Sequence, residues 1–335
     1  MLIDGGIGFD PTGIADQARR LEQDGYDGAW AAETGHDPLL TLALAAGATE
    51  RLELGTGITV AFGRSPMITA TMANDVQLLS RGRLLLGLGS QIKPHIERRY
   101  SMPWSHPAAR MREYIQAMHA IWDSWNEGTT LEFRGDFYTH TLMTPFFNPG
   151  PNPYGAPKVL LAAVGALMTE VAGEVADGIL IHGFTTERYL REVTLPAVER
   201  GLSRSGRTRD SFTVSYPGFV VTGETDEQLA QAAAAVKAQI AFYASTPAYR
   251  PVLELHGWGE LQAELHPMSK RGQWQEMAEL VSDEVLGTFA VVAPLDEVAT
   301  RVRERFGDVV DRFSFYAPYQ MVPGRWAEVL AGFRS

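Results

Sequence analysis

Short apolar runs alternate along most of the chain with longer segments in which apolar residues recur at helical spacing. The runs have the length of buried strands, and the segments between them have the period of helices that pack on one face. Because this alternation is sustained, it predicts a parallel sheet with connecting helices. The predicted strands are residues 2–9, 28–32, 52–61, 83–88, 158–164, 178–182, 212–221 and 312–316.

Helices are predicted in the connections between these strands. They are residues 14–22, 39–48, 67–79, 107–125, 167–176, 186–202, 226–244, 295–305 and 323–333. Eight parallel strands, each followed by a helix, indicate the α/β class and a (β/α)8 TIM barrel. A doubly wound sheet is disfavoured, because it normally has fewer strands and a glycine-rich first turn.

Two stretches interrupt this order and are interpreted as insertions in a single domain spanning residues 1–335. Residues 127–157 follow the helix after the fourth strand, and the alternation within residues 130–139 predicts a hairpin. Residues 246–287 follow the helix of the seventh strand and contain short helical segments. Long connections in a barrel usually build substrate specificity, so we expect substrate choice to depend on both insertions and on residues such as Tyr243 and Trp258.

The composition excludes several classes of protein. The chain has no cysteine, which rules out disulfide-stapled domains, thiol enzymes and cysteine-ligated metal clusters. Its 29 Lys and Arg stand against 40 Asp and Glu, and the net charge of −11 disfavours nucleic acid as a partner. There is no apolar run of about eighteen residues and no leader pattern, so we expect a cytoplasmic protein without membrane attachment.

Titratable side chains follow several predicted strands. Asp10 and Glu33 lie at or just past the ends of the first and second strands, with His36 in the next turn; His95 follows the fourth strand, and His182 ends the sixth. The carboxyl ends of the strands form the active-site face of a TIM barrel, and carboxyl and imidazole groups there suit proton transfer. No spacing typical of metal ligands and no serine hydrolase motif is present, so neither chemistry is favoured.

A set of short motifs resembles a known superfamily. The motifs are residues 25–30, 42–46, 54–58, 81–89 and 172–178, together with Arg110 and Glu113 on one predicted helix. In this order they resemble the bacterial-luciferase-like monooxygenases, and most of all the oxidoreductases that use the deazaflavin coenzyme F420. The resemblance covers nearly the whole chain. It implies the same barrel and hydride transfer between deazaflavin C5 and a carbonyl, alcohol or activated alkene.

The resemblance also implies which residues meet the cofactor. A cis peptide bond between Gly57 and Ile58 would support the back of the deazaflavin ring, and Gly165 and Ala166 would hold its phosphate at a helix N-terminus. The remaining cofactor candidates are Asp10, Arg64, Gly89, Ser90, Gln91 and His182.

Charged residues near strands three and four have two interpretations. Arg64, Lys93, Arg98 and Arg99 are either solvated loop charges or the site that receives the oligoglutamate tail of F420. Related sugar-phosphate dehydrogenases carry a lysine just after strand six; here residues 183–186 contain none, which disfavours a sugar phosphate.

The proton-transfer group is less clearly indicated. Several F420 enzymes place an acid–histidine pair directly after strand two, whereas this chain separates Glu33 from His36. The catalytic candidates are therefore Glu33, His36 and His95.

Two alternative functions remain for this sequence. They are an FMN-dependent monooxygenase and a cofactor-binding protein that catalyses no reaction. The expected partners are a small-molecule substrate and a second copy of the chain in a homodimer.

Overall fold

A computed structural model describes residues 1–8, 10–321 and 324–334. The strands in this part of the chain are β1 (Leu2–Gly6), β2 (Gly28–Ala31), β3 (Glu53–Thr56), β4 (Thr59–Val60), β5 (Leu84–Gly89), β6 (Phe133–Arg134), β7 (Thr139–His140), β8 (Lys158–Ala163), β9 (Gly178–Ile181), β10 (Thr213–Val221), β11 (Ala290–Val292) and β12 (Arg312–Tyr316).

Eight of these strands close into a ring in the order β10, β12, β1, β2, β3, β5, β8, β9 and back to β10. The short strands β4 and β11 pair in parallel with β5 and β10. Strands β6 and β7 form a separate antiparallel hairpin. The fold is therefore a (β/α)8 TIM barrel, and the predicted fold class is confirmed together with the hairpin in the first insertion.

The described residues form fifteen α-helices, and most of the predicted helices are among them with similar bounds. They are α1 (Ile14–Asp24), α2 (Pro38–Ala46), α3 (Pro66–Leu79), α4 (Lys93–Arg98), α5 (Pro107–Glu127), α6 (Ala166–Val175), α7 (Glu187–Tyr189), α8 (Leu195–Arg204), α9 (Asp226–Ala244), α10 (Arg250–Glu254), α11 (Gly259–Lys270), α12 (Trp274–Glu279), α13 (Asp283–Phe289), α14 (Val298–Phe306) and α15 (Arg325–Arg334). No helix among the described residues is long and apolar enough to cross a membrane.

Local sequence explains where several helices start. The Asp37 side chain accepts hydrogen bonds from the backbone N–H groups of Leu39 and Leu40, and Ser65 accepts one from Ile68. A proline follows each of these caps at the first helical position. Asp and Ser satisfy N–H groups that lack a partner inside the helix, and proline costs nothing there because it has no N–H.

The described residues form two compact units. The larger unit comprises residues 4–180 and 197–213, and the smaller comprises residues 1–3, 181–196 and 214–335. In the larger unit Leu86, Trp122 and Leu160 are almost fully buried. In the smaller unit the second insertion packs on α9 through an apolar core that includes Leu265 and Met277.

Four elements differ from the prediction. The helix predicted over residues 186–202 is divided into α7, a π-helical segment (Leu190–Thr194) and α8. The strand predicted over residues 52–61 is divided into β3 and β4. The irregular segment before α5 contains α4, and β11 was missed because three residues are too few to show a period. Phe9, the predicted end of the first strand, and Pro323, the predicted start of the last helix, lie outside the described residues.

Candidate functional site

The break between β3 and β4 is the first feature of the candidate site. The Gly57–Ile58 peptide bond is cis, which confirms the bond that the resemblance implies. The N–H of Gly57 donates to the carbonyl of Ala31 at 2.8 Å, and the carbonyl of Ile58 accepts from the N–H of Glu33 at 3.2 Å. Gly57 itself is exposed. Neighbouring backbone therefore holds this segment in place while one face of Gly57 stays accessible.

The turn after β5 lies against this segment. A Cβ built on Gly89 would be 2.5 Å from Cδ1 of Ile58, so the Ile58 side chain occupies the space that a larger residue would need. Gln91 has a left-handed backbone (φ 59°), and its Oε1 accepts from the N–H of Ile92 at 3.1 Å. The Ser90 hydroxyl donates to the carbonyl of Gln91. The predicted turn Gly89-Ser90-Gln91 is thus a compact polar loop that contacts Ile58.

The start of α6 is the third feature of the candidate site, and its backbone is exposed like that of Gly57. Gly165 and Ala166 are exposed, no side chain caps the helix, and its first turn contains no acidic residue. A Cβ on Gly165 would have no atom within 4 Å. The first N–H groups of a helix lack intrahelical partners and favour anions, so this end suits a phosphate. Because β3, β5 and β8 are neighbours in the sheet, all three segments follow adjacent strands of the larger unit.

Glu33 lies in a closed ionic network rather than at a free position. Its Oε2 accepts from the N–H of Val60 at 2.8 Å and from Nη1 of Arg64 at 2.6 Å, and the Tyr100 hydroxyl donates to its Oε1 at 2.6 Å. Arg64 also donates to Asp37 at 2.6 Å. The Glu33 side chain is only 6% exposed. Burial and the bond to Glu33 raise the pKa of Tyr100 to about 12, so this phenol stays a donor.

The four basic residues do not form one group of free charges. Arg64 is paired with two carboxylates, while Arg99 donates to the carbonyl of Thr34 and its guanidinium lies 5.1 Å from the centre of the Tyr100 ring. Lys93 is exposed and forms a loose pair with Glu97 at 3.7 Å. Arg98 is exposed and has no hydrogen bond or ion pair with any described side chain. Arg98 and the loosely paired Lys93 are the members of the set that remain available to an acidic ligand.

The remaining candidates of the larger unit lie at the surface. Asp10 accepts from the N–H of Thr12 at 2.9 Å and from its hydroxyl at 2.7 Å, and these bonds hold the pKa of Asp10 below its usual value. The charge of His36 lowers it slightly further. His36 and His95 are exposed, and within the described ranges neither imidazole has a hydrogen-bond partner. The structure therefore leaves both imidazoles open to solvent and ligands.

His182 belongs to the smaller unit and has neutral surroundings. Its Nδ1 accepts from the N–H of Phe184 at 3.0 Å, and its Nε2 is 3.0 Å from the Tyr249 hydroxyl. The two rings stack with centres 4.6 Å apart. Burial lowers the pKa of His182 to about 4, so the imidazole is neutral near pH 7. Tyr249 was missed because no local pattern joins it to His182; its place in the second insertion was the available signal.

Two residues of the helix motif have a structural role that the motif did not predict. The Glu113 carboxylate accepts from the N–H groups of Asp136, Phe137 and Tyr138 at 2.9, 2.7 and 2.5 Å. Arg110 donates to the Tyr138 hydroxyl at 2.8 Å. Both side chains therefore anchor the hairpin of the first insertion to α5, rather than facing a ligand.

Comparisons with known proteins agree with this arrangement. The model of the luciferase-like monooxygenase family matches residues 3–312. An uncharacterized protein of Mycobacterium tuberculosis is 57% identical over 312 residues, which cover 93% of this chain and 92% of that protein. The 5,10-methylenetetrahydromethanopterin reductase of Archaeoglobus fulgidus is 28% identical and covers 84% of this chain and 82% of its own.

A solved structure shares the fold. The coenzyme F420 dependent tetrahydromethanopterin reductase of Methanopyrus kandleri superposes with a TM-score of 0.78 at 22% identity. The superposition covers 98% of this chain and 96% of that chain. It supports the barrel that the strand order shows.

Proposed function

Because the chain belongs to the luciferase-like monooxygenase family, we propose that it is an F420-dependent oxidoreductase acting on a small carbonyl, alcohol or activated alkene. The observation that carries the proposal is exposed backbone at Gly57 after β3 and at Gly165 and Ala166 after β8. These two segments lie on either side of the half-buried turn after β5, because β3, β5 and β8 are adjacent strands of one unit. The reductase of Archaeoglobus fulgidus matches most of the chain, and the superposed reductase is named as F420-dependent. The name of the superposed reductase favours F420 over FMN.

The residues present fit the parts of this cofactor. The exposed backbone at Gly57 suits the flat face of a ring, and a Cβ there would already lie 3.7 Å from the Trp30 ring. The open start of α6 at Gly165 and Ala166 suits a phosphate, and Arg98 suits an acidic tail. When bound, F420 supplies or accepts a hydride at its C5.

Proton transfer is assigned to groups that can exchange a proton with substrate. Glu33 is held by three donors, one of them the Arg64 guanidinium, so we propose that it fixes the ends of β2 and β4 as a positioning residue. His36 and His95 have free imidazoles and can give or take the proton at the substrate oxygen. Either would balance the hydride that moves at the neighbouring carbon.

The proposal is tested by titrating the protein with F420 and with FMN under matched conditions, following the fluorescence of each cofactor. We expect F420 to bind more tightly. Tighter binding of FMN would overturn the assignment and favour the monooxygenase alternative.

A matched pair of variants tests the role of Arg98. We expect Arg98→Gln to weaken F420 binding about 3- to 10-fold while changing the affinity for the tailless deazaflavin less than about 2-fold, because an exposed charge contributes up to about 1 kcal/mol to a pair. Lys270→Gln removes the same charge from the exposed end of α11 and serves as the control. Equal losses for both cofactor forms would place the acidic tail elsewhere.

A further inference from the structure

The smaller unit contains a group of rings that the cofactor assignment does not use. We define the tyrosine cluster as Tyr243, Tyr249 and Tyr316 with His182 and Phe184. The Tyr243 and Tyr316 hydroxyls are 2.6 Å apart, and the Phe184 ring centre lies 5.5 Å from that of Tyr249. His182 follows β9 and Tyr316 ends β12, so both come from the carboxyl ends of strands. Tyr243 and Tyr249 lie on α9 and at the start of the second insertion.

Hydrogen-bond directions leave the hydroxyl proton of Tyr249 without an acceptor among the described residues, as they do for whichever of Tyr243 and Tyr316 accepts in their shared bond. Nδ1 of His182 accepts from the backbone N–H of Phe184, so in the neutral imidazole the hydrogen is on Nε2. That N–H then donates to the Tyr249 oxygen, 3.0 Å away. Tyr249 must point its own O–H elsewhere, and no acceptor for it exists among the residues described. Burial and the nearby Tyr243 raise the pKa of Tyr249 to about 12, so the phenol keeps its proton.

No cation among the described residues forms a hydrogen bond or ion pair with His182 or Tyr249, and Arg250, the neighbour of Tyr249 in the chain, donates to Glu254. Burial alone accounts for the lowered pKa of His182, and no charged side chain contributes to it. Residues 183–186, which follow His182, contain no lysine or arginine. Arg188, the next cation along the chain, donates to Glu192 and to the carbonyl of Leu255. A buried anion without a partner is costly, whereas a neutral oxygen needs only one donor.

We propose that Tyr249 donates a hydrogen bond to the oxygen of an uncharged ketone or secondary alcohol, and that His182 holds the phenol as a positioning residue. The rings of the tyrosine cluster supply apolar surface for the body of that molecule. This inference rests on the proposed function and narrows its substrate class.

The test uses acetophenone as the neutral probe and benzoate as its charged counterpart, titrated into the full-length protein by calorimetry with and without F420. We expect acetophenone to bind at least about 10-fold more tightly than benzoate, and Tyr249→Phe to weaken acetophenone binding about 10-fold. Tyr216→Phe is the matched control, because the buried Tyr216 hydroxyl has no hydrogen-bond partner within the described part of the chain. It should bind both probes like the unmodified protein.

A second measurement separates binding from folding. The ¹⁵N shifts of His182 should report hydrogen on Nε2 in the unmodified protein and an Nδ1 that still accepts in Tyr249→Phe, which would show that the cluster remains folded. Absence of acetophenone binding, equal binding by Tyr249→Phe, or preference for benzoate would overturn the proposal. Failure of the separate F420 titration with acetophenone binding intact would overturn the cofactor assignment alone.

Discussion

The network around Glu33 and the pair formed by His182 and Tyr249 both follow barrel strands, yet they differ in charge. Glu33 shares its carboxylate among Arg64, Tyr100 and a backbone N–H, and every strong donor there has an acceptor. His182 and Tyr249 are uncharged and linked by hydrogen bonds: the Phe184 N–H donates to His182, His182 donates to Tyr249, and the Tyr249 hydroxyl proton has no acceptor among the described residues. The comparison teaches that a position at a strand end does not identify a reactive group; the partners that fold around it do.

The largest expected effect on stability comes from removing Arg64, the cation at the centre of the ionic network around Glu33. Arg64→Met removes the charge between Glu33 and Asp37, and we expect the free energy of unfolding to fall by about 3–5 kcal/mol, because a buried carboxylate is left without its partner. Urea denaturation measures this change. Arg98→Met is the control and should stay within about 0.5 kcal/mol. Similar losses for the two variants would show that the network is not a closed unit.

The pH dependence of the free energy of unfolding tests whether His182 is buried as a neutral imidazole. The pKa of His182 is about 4 in the folded protein, against 6.5 as its ordinary value, so below pH 6.5 the unfolded chain binds a proton that the folded chain does not. Stability is therefore lost as the pH falls from 6.5 towards 4. Between pH 7 and 5 we expect His182→Gln to lose about 2 kcal/mol less than the unmodified protein in urea titrations. Parallel pH profiles would contradict the burial of a neutral imidazole.

Removing one hydroxyl from each region compares the two directly. Tyr100→Phe deletes a donor to a carboxylate, and we expect a loss of about 2 kcal/mol, since bonds to charged groups are worth about 1.5–3 kcal/mol. Tyr243→Phe deletes a bond between two neutral hydroxyls and should cost about 1 kcal/mol. Thermal unfolding at one pH ranks the two variants. A greater loss for Tyr243→Phe would reverse the comparison.

A change in salt concentration should produce the smallest of these effects, and it acts on ligand affinity. Raising the ionic strength from about 0.02 to 0.15 M shortens the screening length, so F420 binding should weaken about 3-fold if Arg98 meets an acidic tail. Acetophenone binding should change less than 2-fold, because no charge takes part in it. Calorimetry at the two salt concentrations measures both affinities. Equal salt sensitivity for the two ligands would remove the distinction between a charged and a neutral region.

Structural features that depend on residues close together in the sequence could be predicted from the sequence alone. The eight strands and most helices follow from apolar periodicity, and Asp37 and Ser65 mark helix starts through bonds that span two or three residues. The Gly57–Ile58 segment was found through resemblance rather than through any period. Short elements such as β11 escaped because three residues carry too little pattern.

The chemistry of the candidate residues was decided only in three dimensions. Glu33 and Tyr100 are 67 residues apart in the chain, and so are His182 and Tyr249. The sequence by itself determined the order of strands and the residue types at their ends, because both depend on local spacing and burial. Hydrogen bonds between distant segments decide which carboxylate is paired with a cation. They also decide which hydroxyl keeps a free proton. Periodicity contains no information about such bonds, and only the closed barrel brings their donors and acceptors within 3 Å.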